Sequence, residues 1–393
     1  MFDECRQALA MVLPNGNWIV DISFTDFLTV LSLALDLRDP QNGRRGIRRA
    51  FIAMAFLREQ GASLSEQQDV YIAALLYELG VKGAHNLSHC REAVSQISLL
   101  SNSASLIFEK SAQATHSRLL DLVDNLDLLA LYEFPSGKYP SSAIETLCDS
   151  IGSRYSLDDI LTLRELEQCP EIWLKLASPS LLNDVRAQSP FLSQKLQQAE
   201  LIQLAALVAM TVDQHCQYPD PRSVLVAKYS VCLAKMYGFS PTGIMEMRLA
   251  GLLHGLGKLA LPSRIFTKAD YALEKNHQSF KSYPLATREI LCGIPGMYQI
   301  AMIASRQHEQ PDGKGFPDGL TGTQLDLSTR MISVARTYVS LRARNGGKTM
   351  LSPAATLSLM KMKATEGLLD LDIVNALEGV IYKMRSMEGV NDD

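Results

Sequence analysis

The chain has 393 residues, of which 47% are hydrophobic and 20% are charged, with a formal net charge of −4. This length predicts two or three domains, and the composition supplies enough apolar side chains for a core in each. The charge balance gives no global attraction to nucleic acid or to an acidic membrane surface. No apolar run approaches the roughly 18 residues that cross a bilayer, and the start lacks the basic stretch of a signal peptide. We therefore expect a cytoplasmic protein that binds neither nucleic acid nor membrane.

Hydrophobic periodicity predicts helices almost throughout. Apolar residues recur at three- and four-residue spacing, typical of buried amphipathic helices, most clearly in four segments: 24–37, 67–79, 199–212 and 245–256. Ser63 with Glu66 has the spacing of a capping box, and Ser240 precedes Pro241 as a cap precedes a proline at the first helical position. Strand alternation is nearly absent, so the predicted fold class is all-α.

Four arginines cluster near the start of the second predicted helix: Arg44, Arg45, Arg48 and Arg49. A solvated helix face is the first interpretation of such a cluster. An anion- or phosphate-binding surface is the alternative.

Two stretches in the second half carry the clearest motif. Residues 252–262 read LLHGLGKLALP, and residues 306–320 read RQHEQPDGKGFPDGL. Together they resemble the HD-GYP family, bacterial metal-dependent hydrolases of cyclic dinucleotides, whose motif runs LHDIGK, IP, HHE and DGxGYP. Gly255 stands where the family has the Asp of its His-Asp pair, and Gln307 stands where it has the first His of HHE. The resemblance implies a helical HD-domain fold.

The resemblance also implies where metal ligands would lie, because hydrolysis of a phosphodiester at neutral pH calls for metal ions that activate water and neutralise phosphoryl charge. The family's ligands are a His on an earlier helix, the His-Asp pair, a His before a Pro, the His-His pair and a late Asp. His254 and His308 keep ligand types. The five degenerate ligand positions are Arg222, Gly255, Tyr283, Gln307 and Arg336. Two arginines would repel a metal ion, so we expect no metal and no other cofactor.

Part of the catalytic motif is kept. The candidate remnants are His254, Lys258, His308 and Glu309, and in the family the lysine lies near the substrate phosphates. Isolated histidines are more often hydrogen-bonded structural residues, and a lysine after a glycine is as often a helix-end cation or a salt-bridge partner. None of the four is therefore a firm catalytic prediction.

The glycine- and proline-rich loop is the candidate partner-binding segment, formed by Asp312, Gly313, Lys314, Gly315, Phe316 and Pro317. In the HD-GYP family this segment is implicated in contacts with diguanylate cyclase (GGDEF) domains, so the resemblance implies a partner of that kind. Lys314 and Phe316 offer it a cation and an aromatic ring. The alternative is that Phe316 fills the helical core. A cyclic dinucleotide is a further candidate ligand, and an exposed apolar face could support a homodimer.

The first half resembles the second at matched spacings. The paired positions are Asp36 with Asp213, Arg45 with Arg222, Tyr77 with His254, Glu78 with Gly255, and Asp124 with Arg336. The first two pairs are 9 residues apart in both halves, and the second and third are 32 apart in both. Several matched spacings in order indicate a duplication. We predict two tandem HD-domain-like helical bundles: a decayed domain over 1–190 that lacks the GYP segment, and a degenerate HD-GYP domain over 191–393.

Two functions compete on this basis. The first is a catalytically impaired HD-GYP-like regulatory protein that acts by partner or nucleotide binding in cyclic-dinucleotide signalling. The alternative is a residual metal-dependent phosphohydrolase of the cyclic di-GMP phosphodiesterase type. Replacement of several ligands favours the first, since transition-state charge in such an enzyme is stabilised mostly by the ions. An HDOD domain, which has lost the ligands altogether, is a third possibility, against which the DGKGFP loop argues.

Overall fold

The computed structural model describes residues 21–38, 43–80, 87–109, 114–130, 141–150, 152, 154–266, 274–343 and 350–387. Helices dominate these ranges, and the pairing between extended segments within them is confined to isolated bridges. The predicted all-α fold class is thus confirmed. None of the helices described is long and apolar enough to cross a membrane.

The chain divides into two compact units. One, here the N-unit, comprises the described residues from 21 to 196, and the other, here the C-unit, comprises the described residues from 197 onward. The N-unit helices are α1 Phe24–Asp36, α2 Arg45–Glu59, α3 Leu64–Leu76, α4 Leu87–Gln96, α5 Ala104–Phe108, α6 Thr115–Ala130, α7 Ser141–Cys148, α8 Leu157–Glu167, α9 Pro170–Ala177 and α10 Leu181–Ala187. Short 3-10 helices cover Tyr77–Gly80 and Ser101–Ser103.

The C-unit is built around a pair of adjacent helices, α12 and α13. Its helices are α11 Gln198–His215, α12 Arg222–Met236, α13 Pro241–Leu253, α14 Glu274–Cys292, α15 Tyr298–Ser305, α16 Leu327–Arg342, α17 Pro353–Thr365 and α18 Leu371–Met387, with 3-10 helices at Leu256–Ala260 and Ser263–Phe266. α12 packs against α13 and α16, and the first 3-10 helix packs against α14. This packing surrounds the end of α13.

The helix starts follow the predicted caps. Ser63 accepts a hydrogen bond from the backbone N–H of Glu66, whose carboxylate accepts one in return from the Ser63 N–H at 2.9 Å. Ser240 accepts from the N–H of Gly243, and Pro241 is the first residue of α13. Both bonds satisfy N–H groups that have no partner within the helix.

In both units, an aspartate side chain caps the start of the second helix. In the N-unit, Asp36 at the end of α1 accepts a hydrogen bond at 3.1 Å from the N–H of Gly46 in α2. In the C-unit, Asp213 in α11 accepts one at 3.0 Å from the N–H of Ser223 in α12. Each carboxylate thereby caps the helix that begins after the following loop, ten residues further along the chain.

In both units, one glycine also makes a close backbone contact with another helix. A Cβ atom added at Gly80 would overlap the carbonyl oxygen of Ile107, and one added at Gly257 would overlap the carbonyl oxygen of Tyr283. Only glycine permits so close an approach of backbone to backbone. Glycine at positions 80 and 257 thus has a packing reason.

The arginine cluster of α2 is not a solvated face. Arg49 is fully buried, and its guanidinium donates to Glu78 at 2.9 Å and to Asp124 at 3.0 Å. Arg45 donates to Asp124 at 2.7 Å, and Arg48 forms an ion pair with the buried Asp127. Periodicity could not reveal these partners, which lie 29 to 79 residues away in the chain. Of the four, Arg44 does lie exposed.

Candidate functional site

The matched positions of the motif come together around the end of α13. His254 caps this helix, and Lys258 lies in the 3-10 helix that follows. Arg222 is the first residue of α12, and Tyr283 lies in the middle of α14. The remaining three positions are supplied by the segment after α15 and by α16: Gln307, His308 and Arg336.

The two histidines are neutral and hydrogen-bonded within the protein. The Nδ1 of His254 lies 2.7 Å from the carbonyl oxygen of Gly251, which makes it a donor and leaves Nε2 unprotonated. Burial, reinforced by the charge of Lys258, lowers the pKa of His254 to about 3. The Nε2 of His308 lies 2.6 Å from the hydroxyl of Tyr283. Burial and the nearby Arg336 hold the pKa of His308 well below its usual value.

Gln307 connects two elements of the site. Its side-chain amide donates to the carbonyl oxygen of His254 at 2.6 Å, and its own carbonyl oxygen accepts from Nε of Arg336 at 3.2 Å. The Gln307 side chain is fully buried, and its Oε1 has no hydrogen-bond partner among the described residues. The side chain of Gln307 therefore contacts the end of α13, and its backbone carbonyl contacts α16.

Three cationic side chains lie around this centre. Lys258 is 8% exposed, and its Nζ lies 5.3 Å from the ring centroid of Tyr218 and 5.4 Å from that of Tyr283. The guanidinium of Arg222 lies over Tyr218 at 3.7 Å. Arg222 and Arg336 are half-buried. Aromatic faces thus stabilise cations that have been withdrawn from water.

The charges of this centre act on one another. Burial lowers the pKa of Lys258, and the positive charges of Arg222 and Arg336 lower it further, whereas Cys216 and Asp213 act to raise it. A Cβ atom added at Gly255 would lie 3.5 Å from the lysine Nζ. The lysine head therefore lies beside the position from which the family's aspartate would extend.

The sequence motif did not include Asp213 among the site residues. It is buried, and it accepts bonds from both the N–H and the hydroxyl of Ser223, the latter at 2.8 Å. Burial raises its pKa to about 6, against the lowering effects of the Ser223 bonds and of Lys258. The signal that could have identified it is its fixed distance of nine residues before Arg222, which matches that of Asp36 before Arg45.

Asp213 should make the C-unit less stable as pH rises. Its folded-state pKa exceeds the ordinary value of 3.8, so its contribution is fully favourable below about pH 4 and is lost as pH rises through 6. In Asp213→Asn the side chain is neutral at every pH. The free energy of unfolding of the wild type relative to this variant should fall by about 3 kcal/mol between pH 4 and 7, measured by urea unfolding. A difference that is constant with pH would show that Asp213 is ionised throughout.

Glu309 has a structural role in this arrangement. Its side chain is 1% exposed, and its carboxylate accepts hydrogen bonds from the N–H groups of Asp318, Gly319 and Leu320 at 2.6, 3.2 and 2.9 Å. These charge-assisted bonds anchor the end of the glycine-rich loop. Because both oxygens are engaged, Glu309 is not placed to hold a nucleophilic water.

The loop lies partly against the site and partly toward solvent. Phe316 is half-buried and stacks on His308, with ring centroids 4.5 Å apart and planes at 13°. The side chain of Lys314 is 83% exposed. Asp318 forms ion pairs with Arg288 at 2.6 Å and Arg306 at 2.9 Å. Phe316 thus belongs to the wall of the centre, and Lys314 is the member of the loop that a partner can reach.

Residues 206–373, which include every one of these site positions, match the HD domain family (HD_5). This part of the chain is therefore similar to the HD domain, and the chain shows homology to the HD-GYP and cGAMP phosphodiesterases.

Three relatives illustrate the similarity. The chain is 27% identical over 267 residues to 3'3'-cGAMP-specific phosphodiesterase 1 of Vibrio cholerae, covering 66% of this chain and 62% of that protein. It is 31% identical over 130 residues to the cyclic di-GMP phosphodiesterase response regulator RpfG of Xanthomonas campestris, covering 33% of this chain and 34% of that one. A crystal structure of the V. cholerae cyclic GMP-AMP-specific phosphodiesterase V-cGAP3 covers 92% of this chain and 98% of its own, with a TM-score of 0.65 at 17% identity, which shows a shared fold.

The relatives correct one prediction. We expected no cofactor, but the HD-domain cyclic-dinucleotide phosphodiesterases to which the chain is homologous normally use divalent metals. The prediction was wrong because it was drawn from the missing ligands alone, without regard to the use of divalent metals by the related phosphodiesterases. The fit of this particular site to such a centre is nevertheless poor. No three His, Cys, Asp or Glu side chains gather in a metal-binding group within the described ranges, and three cations lie around the two histidines.

Proposed function

We propose that the HD domain binds a cyclic dinucleotide without hydrolysing it, and that the chain acts as a regulatory protein in cyclic-dinucleotide signalling. The relatives named above are phosphodiesterases of 3'3'-cGAMP and cyclic di-GMP, which suggests the ligand class. The observation that carries the proposal is the cationic centre of Lys258, Arg222 and Arg336, at positions that surround the two remaining histidines.

Fixed cations can replace metal ions in binding a phosphodiester. Each phosphodiester of a cyclic dinucleotide carries one negative charge, and a guanidinium offers paired donors that match its two free oxygens. Arg222 and Arg336 are half-buried, so each retains access to solvent. The buried Lys258 adds a point charge at the base of the centre.

Hydrolysis requires an activated water molecule in addition to positive charge around the phosphate. A water molecule must lose a proton, either to a general base or to solvent after a bound metal ion has lowered its pKa, before it attacks phosphorus. The carboxylates of Glu309 and Asp213 are engaged by backbone and hydroxyl donors, and His308 is engaged by Tyr283. Binding is therefore better supported by this set of side chains than turnover.

Binding should depend on the cations. We expect the purified chain to bind 3'3'-cGAMP or cyclic di-GMP, measured by titration calorimetry. Lys258→Met and Arg336→Gln should each weaken binding by about tenfold or more, since a hydrogen bond to a charged group contributes about 1.5–3 kcal/mol. The exposed Lys235 of α12 provides the control Lys235→Gln, which should bind as the wild type.

Two results would overturn this proposal. The first is absence of binding for both dinucleotides. The second is that chromatography detects the linear dinucleotide after addition of Mn²⁺ or Fe²⁺. Formation of this product would establish the alternative of a residual phosphohydrolase.

We further propose that the loop 312–317 contacts a protein partner, for which a diguanylate cyclase (GGDEF) domain is the candidate. The exposed side chain of Lys314 supports this proposal. The ring of Phe316, by contrast, is already stacked on His308 within the protein. Lys314→Glu should weaken a pull-down of such a domain without changing the melting temperature, because a reversal of charge on an exposed side chain alters association more than folding. Lys235→Glu, on the exposed part of α12, is the control. Equal pull-down by both variants and the wild type would exclude the loop as the contact.

We also propose that the N-unit and the C-unit are tandem copies of one HD-like bundle. Two features that the units have in common support this. Asp36 and Asp213 each cap the second helix of their unit, and Gly80 and Gly257 each make a close backbone contact with another helix. The paired positions also come together within each unit. Arg45 lies 3.9 Å from Glu78 and 2.7 Å from Asp124. Arg45 and Glu78 match Arg222 and Gly255 by their spacing, and Asp124 is paired with Arg336 by the similarity of the segments around them. A cytoplasmic location stays a prediction.

A further inference from the structure

A second cavity of the C-unit lies apart from the centre just described. It has a volume of about 350 Å³ and opens between α12, α16 and α18. Its main lining side chains are Lys228, Tyr229, Tyr338, Arg342, Ile381 and Arg385. None of these is a member of the HD-motif site. A cavity of this volume is within the range of sites for small ligands.

The lining is positively charged. It contains three cations and no acidic residue within the described part of the chain. No carboxylate of the described residues forms an ion pair with Lys228 or Arg342, and Arg342 donates instead to the carbonyl oxygen of Leu351. The charges of Arg342 and Arg385 both act on the phenol of Tyr338, whose pKa is raised chiefly by burial. Lys228, Arg342 and Arg385 thus line the same cavity.

An aromatic pair forms another part of the wall. Tyr229 and Tyr338 are in edge-to-face contact, with ring centroids 5.1 Å apart and planes at 80°. Tyr338 is buried, which fixes it, whereas Tyr229 is half-buried and presents part of its ring to the cavity. A half-exposed ring beside clustered cations suits a ligand that combines an aromatic ring with an anionic group.

We propose that this cavity binds a mononucleotide, with the phosphate against Lys228, Arg342 and Arg385 and the base against Tyr229. A phosphate monoester carries between one and two negative charges at neutral pH, which three cations would balance. Arginine forks match phosphate oxygens, and any base offers a π-face to tyrosine. The inference concerns a site distinct from that of the proposed cyclic-dinucleotide ligand, and each can fail without the other.

The test is titration calorimetry of the full chain with GMP and AMP, in EDTA. The double variant Lys228→Gln, Arg385→Gln should weaken binding by about tenfold or more. Its matched control is Lys235→Gln, Lys383→Gln, which removes two exposed cations from the same two helices and should bind as the wild type. Lys258→Met, which alters only the other centre, should also retain binding. Guanosine and inorganic phosphate should each bind about tenfold more weakly than GMP, since each lacks one half of the ligand.

Three results would overturn the inference. One is that neither nucleotide binds up to millimolar concentration. Another is that Lys258→Met abolishes nucleotide binding while the Lys228 and Arg385 double variant retains it, which would place the nucleotide in the HD-motif centre. A third is that inorganic phosphate binds as tightly as GMP, which would reduce the cavity to a simple anion site.

Discussion

Replacing Gly257 with alanine is expected to destabilise the C-unit by about 3 kcal/mol or more. The added Cβ would overlap the carbonyl oxygen of Tyr283 and lie 2.6 Å from the backbone nitrogen of Thr287. Both atoms belong to the backbone of α14, which cannot rotate away as a side chain can. The N–H of Gly257 also donates to the Thr287 hydroxyl at 2.9 Å, so any retreat of the 3-10 helix would lose this bond. Urea unfolding followed by circular dichroism measures the effect.

Gly379 provides the matched control for this substitution. It lies inside α18, and nothing comes within 4 Å of a Cβ added there. Gly379→Ala should therefore raise stability by about 0.5–1 kcal/mol, the usual gain for a helical glycine without steric constraint. Equal unfolding midpoints for the two variants would show that the contact between the 3-10 helix and α14 is looser than the structure indicates.

Removal of the buried arginine of the N-unit is the second large expected effect. Arg49→Ala should lower the free energy of unfolding by about 3–5 kcal/mol, because Glu78 and Asp124 would lose a charged partner in a site of low dielectric. Their side chains are only 20% and 15% exposed, so water can compensate in part. Arg58, exposed in the last turn of the same helix, provides the control Arg58→Ala, whose cost should be within about 0.5 kcal/mol of zero.

A further variant separates lost attraction from lost packing. If unpaired charge causes the loss, the change Glu78→Gln made together with Arg49→Ala should recover part of the stability. Asp124 keeps Arg45 at 2.7 Å, whereas Glu78 keeps it only at 3.9 Å, so Glu78 is the carboxylate left with the weaker partner. Absence of any recovery, with the single variant still strongly destabilised, would assign the effect to the cavity left by the side chain.

The two units differ in how the charges at their proposed paired positions are balanced. In the N-unit, arginines are matched by carboxylates, so the centre is closed by ion pairs within the protein. In the C-unit, Gly255 and Arg336 stand where the N-unit has Glu78 and Asp124. Lys258, Arg222 and Arg336 therefore lie around two histidines that are neutral. The first arrangement contributes to folding, whereas the second retains positive charge that an anionic ligand can use.

Much of the architecture was predictable from local patterns. The three- and four-residue spacing of apolar side chains predicted the helices, and Ser63 and Ser240 marked two of their starts, because caps and amphipathic faces depend on residues close in the chain. The order LLHGLGK followed by DGKGFP indicated the HD domain for the same reason.

The partners of the charged side chains were decided only by tertiary structure. Sequence alone suggested a solvated face for Arg48 and Arg49, yet both are buried with carboxylates up to 79 residues away. Glu309 was a candidate for catalysis, and the loop that folds back on it makes it an anchor for three backbone N–H groups. A buried charge must find its counterpart wherever helix packing brings one within reach, and periodicity along the chain defines which face of a helix is buried but not which helix it meets.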